Sequence, residues 1–188
     1  MWEELNGTSS DLKKRKKILE EFLNKISKPN EKIKKRKKAI IRQPVFKKGD
    51  CLVFKLKNGN YGGAFVLEAE WDTELGMNML AVTTIDQSAK PTIHDFETAF
   101  ILTERQEGSP GKYREREYIT WCYVKFFKKA LTHFEIIGQL TISKDYNSKE
   151  HCYMASQWDS IPAHLDNRNE YEKRHGRASL TVKLKEWR

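Results

Sequence analysis

The stretch that decides the fold is "FKKGDCLVFKLKNGNYGGAFVL", residues 46–67. Apolar and polar residues alternate on both sides of the Asn-Gly pair at 58–59, which is typical of a β-hairpin. Asn and Gly both tolerate positive φ, so the pair predicts a two-residue type I′ turn. That turn places Phe54 opposite Gly63, where the missing side chain leaves room for the ring.

The predicted register also assigns the two faces of the hairpin. A shift of one residue would exchange the faces of a strand, so the pattern predicts a single register. The face that we expect to carry the large side chains comprises Leu52, Phe54, Leu56, Tyr61, Phe65 and Leu67.

The net charge of +9 is confined to one end of the chain. Residues 1–50 contain 16 Lys or Arg against 7 Asp or Glu, and the remainder contains 19 of each. The run "LKKRKKI" at 12–18 is nearly repeated as "IKKRKKA" at 33–39, and each run has apolar residues at helical spacing. We therefore predict a basic helical arm at 1–44, made of two short amphipathic helices, and a β-rich body at 45–188.

Within the body the apolar period changes to two. Strands are predicted at 79–85, 96–104, 116–127 and 133–143, with a short helix beginning at Pro162. Many short strands with the strong helical signal at one end favour an α+β fold. We expect the basic helix pair to be followed by a strongly bent antiparallel β-meander or small SH3-like barrel.

Catalytic and metal-binding motifs are weakly represented. The sequence contains no HExxH, GxSxG or phosphate-binding loop, and Cys51, Cys122 and Cys152 lack the spacing of a zinc site or a disulfide framework. We expect a protein that is not an enzyme, binds no metal or cofactor, does not enter a membrane and resides in the cytoplasm. Whether His94, Cys122 or His151 has a chemical role stays open.

Two segments have the composition of binding sites. In "EAEWDTE", 68–74, four carboxylates surround one indole, a combination that suits a basic protein partner. The alternative is a polar loop whose Trp faces the core. The predicted partner-binding residues are Glu68, Glu70, Trp71, Asp72 and Glu74.

The basic runs are the second candidate. On a helix they can follow phosphates without sequence preference, and the alternative is a solvated helix face. The phosphate-binding candidates are Lys13, Lys14, Arg15, Lys34, Lys35 and Arg36.

The hairpin resembles the opening of immunity protein family 26 of the bacterial polymorphic toxin systems. Gly49-Asp50 begins the first strand and Gly59-Asn60-Tyr61 the second, while "THFEIIGQLTI" at 132–142 is similar to a later apolar strand of that family. The resemblance implies a small β-rich cytoplasmic protein that binds and neutralises a cognate toxin without catalysis.

A nucleic-acid-binding module, with a small barrel and a basic arm on phosphates, is the alternative. Because the body is electrically balanced, the sequence favours the protein-binding hypothesis.

Overall fold

The computed structural model describes residues 9–28, 38–109, 112–143 and 155–186. The chain divides into two compact units, residues 1–38 and residues 39–188. No helix in the described ranges is long and apolar enough to cross a membrane.

The first unit contains helix α1, Ser9–Ser27, which confirms the first helix of the predicted arm. No residue of α1 is buried. Most of the second predicted helix, residues 29–37, lies outside the described residues. From 38 to 43 the chain is not helical, and the helix prediction is wrong there, because Arg42 forms an antiparallel bridge with Thr73 instead.

The second unit contains ten strands and four helices in the described ranges. The strands are β1 Asp50–Lys55, β2 Tyr61–Glu70, β3 Met77–Gln87, β4 Phe100–Ile101, β5 Thr103–Ser109, β6 Lys112–Glu117, β7 Ile119–Tyr123, β8 Glu135–Gln139, β9 Ala155–Ser156 and β10 Val182–Lys183. The helices are α2 Ile93–Thr98, α3 Val124–Phe127, α4 Ser160–Asp166 and α5 Arg168–His175, followed by a 3-10 helix, Leu184–Glu186.

Eight of these strands form one sheet, and six of the eight follow the order β10-β4-β3-β2-β1-β8. Strand β7 also pairs with β3, and β9 lies parallel to β7, while β5 and β6 form a separate two-stranded ribbon. The fold is mixed α+β. The sheet is not closed, since β8 and β10 lie at opposite ends of the strand order, and the expected SH3-like barrel is not confirmed.

The sheet is buried on both faces. One face carries a cluster that includes Cys51, Val53, Phe65, Leu67 and Phe96. On the other face, apolar side chains of β1 and β2 pack against α4 and four aromatic rings. This second cluster includes Leu52, Phe54, Leu56, Ala64, Val66, Ile161, Leu165, Phe46, Phe127, Phe134 and Trp158. The near-continuous apolar runs of β1 and β2 reflect this double burial.

The hairpin is present, but its predicted register is wrong by one residue. Phe54 lies opposite Gly62, not Gly63. The amide of Gly59 donates to the carbonyl of Leu56 at 3.0 Å, Gly59 has φ +87°, and Asn58 does not adopt positive φ. This is the three-residue hairpin loop in which a type I turn is followed by a left-handed glycine.

The predicted strands at 96–104 and 116–127 are also partly wrong. Residues 93–98 form α2 because the side chains of Thr92 and Asp95 cap its first turn reciprocally. The second segment changes direction at Tyr123, and residues 124–127 continue as α3. The short helix predicted at Pro162 is confirmed as α4, which begins two residues earlier.

Candidate functional site

The acidic segment forms the end of strand β2 and the tight turn into β3. The strand continues to Glu70, so only residues 71–76 form the connection. Asp72 has φ +58° and Gly76 has φ +54°, which allows the chain to reverse within six residues. The Thr73 hydroxyl oxygen accepts a hydrogen bond from the Gly76 amide at 2.9 Å. We call residues 68–76 the acidic turn.

An extended segment at the start of the second unit supports the acidic turn from one side. The Arg42 amide donates to the Thr73 carbonyl at 2.9 Å, and the Arg42 guanidinium donates to the Glu74 carbonyl. The Gln43 side-chain amide donates to the Asp72 carboxylate at 2.7 Å. A Cβ at Gly76 would lie 2.8 Å from the Cβ of Arg42, so the close approach requires glycine there.

The turn exposes its large apolar side chains. Trp71 is 54% exposed and Leu75 is 40% exposed, and the neighbouring Ile40 and Ile41 are exposed as well. The alternative of a core-facing Trp is therefore wrong. The backbone of the turn that carries the indole is held by hydrogen bonds from Arg42 and by the Gly76–Thr73 hydrogen bond within the turn.

The four carboxylates of the turn are not equivalent. Glu68 is half-buried and forms an ion pair with Lys48 at 3.0 Å. Glu70 is half-buried, and its burial, followed by the nearby charge of Glu68, raises its pKa above the ordinary value. Asp72 and Glu74 are exposed. The charge that a partner would meet first is therefore carried by Asp72 and Glu74.

The phosphate-binding candidates are only partly described. Lys13, Lys14 and Arg15 lie on α1 and are exposed, as are Lys16 and Lys17 after them. Lys34, Lys35 and Arg36 lie outside the described residues. Whether the two basic runs act together stays a prediction.

The residues left open for chemistry occupy different parts of the fold. Burial raises the pKa of the Cys122 thiol to about 12, so the native protein holds it as an uncharged thiol. His94 is exposed on α2, with Nδ1 3.3 Å from the Glu97 carboxylate, and its neighbour Asp95 caps the helix. His151 lies outside the described residues.

The structure also contains a pair that the sequence analysis missed. Nδ1 of His164, on α4, lies 2.5 Å from Oε1 of Glu104, on β5. The Tyr118 ring stacks on the imidazole with 3.9 Å between the ring centroids. Sixty positions separate the two members of the pair, and no spacing motif connects them. In the described ranges no cluster of three or more His, Cys, Asp or Glu has the arrangement of a metal site.

The chain matches no family model, no curated protein and no solved structure.

Proposed function

We propose that the protein is a non-catalytic binding protein of the immunity type, which captures a basic surface of a cognate toxin through the acidic turn. The observation that carries the proposal is the exposed indole of Trp71 on a hydrogen-bonded turn. Interface hot spots are enriched in Trp, and a pre-ordered anchor loses little conformational entropy on binding. The resemblance of the hairpin to immunity protein family 26 points to the same class of partner.

The surroundings of Trp71 have the composition of a protein interface. Exposed Leu75 and Ile41 supply further apolar area, and Asp72 and Glu74 supply a charged rim. Interfaces combine an apolar centre with a polar rim in this way. The rim is acidic, so the complementary surface is basic.

Glu70 gives a second reason to expect a cationic partner group. Its pKa is raised because burial and the charge of Glu68 both disfavour its ionised form. Lys48 pairs with Glu68. A lysine or arginine brought to this position by a partner would stabilise the Glu70 carboxylate and lower its pKa.

The partner can be identified by replacing Trp71 with a photoreactive phenylalanine analogue and cross-linking in living cells. We expect one dominant cross-linked protein, with a basic surface. The matched control carries the same analogue in place of Phe100, another partly exposed aromatic residue on β4. A cross-link pattern identical at both positions would contradict the proposal.

Binding kinetics with that partner then separate the anchor from the rim. Trp71→Ala should raise the dissociation rate, because truncating a central anchor costs about 2 kcal/mol or more. Glu74→Lys should lower the association rate, most strongly at low salt. Phe100→Ala serves as the matched control. Unchanged rates for both turn variants, with folding intact, would remove the acidic turn from the interface.

Non-specific nucleic-acid binding through the arm is the second candidate function. It is supported by the exposure of the run at 13–17 along α1. Replacing Lys13, Lys14 and Arg15 with Ser should weaken retention on heparin and lower the salt dependence of binding, by about 0.9 in the log–log slope for every phosphate that the variant no longer neutralises. Retention that does not change would remove this candidate.

A further inference from the structure

A cavity of about 190 Å³ lies against the start of β5 and helices α4 and α5. The Glu104–His164 pair forms part of its wall, together with Leu102, Ala163, Tyr171 and Ala178. The lining includes no residue of the acidic turn, so the cavity is a separate site from the proposed protein interface.

Glu104 orients the imidazole of His164. Glu104 is only 7% exposed, and a buried carboxylate is stable only when hydrogen-bonded or paired. Its Oε1 lies 2.5 Å from Nδ1 of His164, and Tyr118 holds one face of the ring. The side chain of His164 is itself 33% exposed. The imidazole is thus fixed by protein on one side and accessible on another.

The pairing decides which nitrogen of His164 is available to a ligand. Nδ1 must carry a proton to donate to the carboxylate, so in the neutral imidazole Nε2 is the acceptor. A carboxylate behind a histidine fixes the tautomer and the orientation of the ring. His164 lines the cavity, and its neutral imidazole has one nitrogen, Nε2, that can accept a hydrogen bond from a bound molecule.

The charges of the lining are balanced. It contains two guanidinium groups, of Arg105 and Arg168, and two carboxylates, of Glu104 and Glu172. Arg168 pairs with Glu172 at 2.8 Å, and Arg105 lies 4.2 Å from the centre of the Tyr113 ring. A charged ligand would meet no excess of the opposite sign, so the lining favours a neutral molecule.

The size and the lining of the cavity further restrict the kind of ligand that it can bind. Leu102, Ala163 and Ala178 supply apolar surface, and Tyr171 supplies an aromatic ring whose hydroxyl donates to the Arg105 carbonyl at 3.1 Å. An apolar cavity of about 150 Å³ in another protein accommodates benzene. A cavity of 190 Å³ has room for one substituted aromatic ring. We propose that it binds a small neutral aromatic molecule whose hydroxyl or ring N–H donates a hydrogen bond to Nε2 of His164.

The test compares phenol with anisole, which has a similar ring but no donor, by titrating the full chain in two-dimensional amide NMR. We expect saturable shifts at the cavity residues, with phenol bound about 3- to 10-fold tighter than anisole, the range of one net hydrogen bond. Equal affinities for the two probes, or shifts that do not saturate, would overturn the proposal.

Two variants complete the experiment. Ala178→Leu enlarges a side chain of the lining and leaves both members of the Glu104–His164 pair in the sequence, and it should abolish phenol binding while the spectrum of the rest of the chain is preserved. His164→Phe, combined with Glu104→Gln so that no buried charge loses its partner, keeps a ring beside Tyr118 and removes the acceptor, so phenol should then bind no better than anisole. Phenol binding that survives Ala178→Leu, or a phenol preference that survives His164→Phe with Glu104→Gln, would refute the assigned site.

Discussion

Substituting Gly62 with Ala tests the register of the central hairpin. A Cβ at Gly62 would lie 2.5 Å from Cε2 of Phe54 and 3.0 Å from Cδ1 of Leu165. Both neighbours are buried, at 2% and 7% exposure, so the added methyl group would have to displace a packed ring and a packed methyl group. The backbone itself does not oppose the change, since Gly62 does not adopt positive φ.

The expected cost follows from this crowding. Forcing an extra methyl group into a packed core destabilises a protein by about 1–3 kcal/mol. Gly→Ala also reduces the entropy of the unfolded chain, which increases the free energy of unfolding by about 0.4–1 kcal/mol. The two effects differ by about 0–2.6 kcal/mol, and the 2.5 Å approach to Phe54 places the expected destabilisation in the upper half of that range, roughly 1.5–2.5 kcal/mol. At about 2–4 °C per kcal/mol for a chain of this size, the Tm should be measurably lower.

A double-mutant cycle identifies the clash. Phe54→Leu removes Cε2, the atom nearest the added methyl group, so it should rescue Gly62→Ala with a coupling energy of about 1–2 kcal/mol. The matched control is Gly63→Ala, whose Cβ would lie 2.9 Å from Cζ of Phe96 on the opposite face. Phe54→Leu should not rescue that variant.

The measurement is urea unfolding followed by circular dichroism, which gives the free energy of unfolding for each of the five variants. If Phe54→Leu rescues Gly63→Ala but not Gly62→Ala, the register predicted from the sequence is right and the one described for the structure is wrong. If Gly62→Ala alone is as stable as the parent, the packing argument fails.

Three further predictions concern the body of the protein. Asp95→Ala should destabilise the protein by about 0.5–1.5 kcal/mol at neutral pH, the net contribution of a hydrogen bond, because Asp95 is the N3 member of the capping box of α2. Hydrogen bonds from Thr92 lower the folded pKa of the Asp95 carboxyl, so this stability is present above the unfolded pKa and is lost as pH falls through the folded pKa. The acid unfolding curves of parent and variant should therefore converge. Cys51 and Cys122 are buried, so a thiol reagent should modify them only in urea, and rapid modification in the native state would contradict their burial. A chain that starts at residue 39 should melt cooperatively. A chain that starts at residue 45 lacks Arg42 and Gln43, which hydrogen-bond to the acidic turn, and should have a lower Tm. An equal Tm for the two chains would show that residues 39–44 add no stability.

The sequence was sufficient to predict the hairpin but not its register. The prediction rested on the exchange of faces that a one-residue shift causes, and that exchange is costly only where one face is buried and the other is not. In the structure Val53 and Cys51 are as deeply buried as Leu52 and Phe54. With apolar residues on both faces, a shift of one residue exchanges one buried set for another, and the turn conformation decides the register instead.

The candidate binding site was predictable in part. Composition identified the acidic turn, but the exposure of Trp71 depends on where β2 ends and on the support from Arg42, which lies about thirty positions earlier. In the sequence, Glu68 and Glu74 are both simply carboxylates of the acidic segment, and both were predicted to contact a partner. Only the fold shows that Lys48 pairs with Glu68 and leaves the outer carboxylates exposed.

The position of His164 follows from the burial pattern of α4. Ile161 and Leu165 are buried in the core, four positions apart on one side of the helix. His164 lies next to Leu165, at the border of that buried side, where the ring can reach Glu104 and still be accessible. The packing that holds α4 against the sheet therefore also sets the distance between imidazole and carboxylate. In the sequence, the local signal is a histidine beside two apolar residues at helical spacing, which predicts an imidazole at the edge of a buried helix face. His164 gains its carboxylate partner only because the topology places Glu104 of β5 next to that edge.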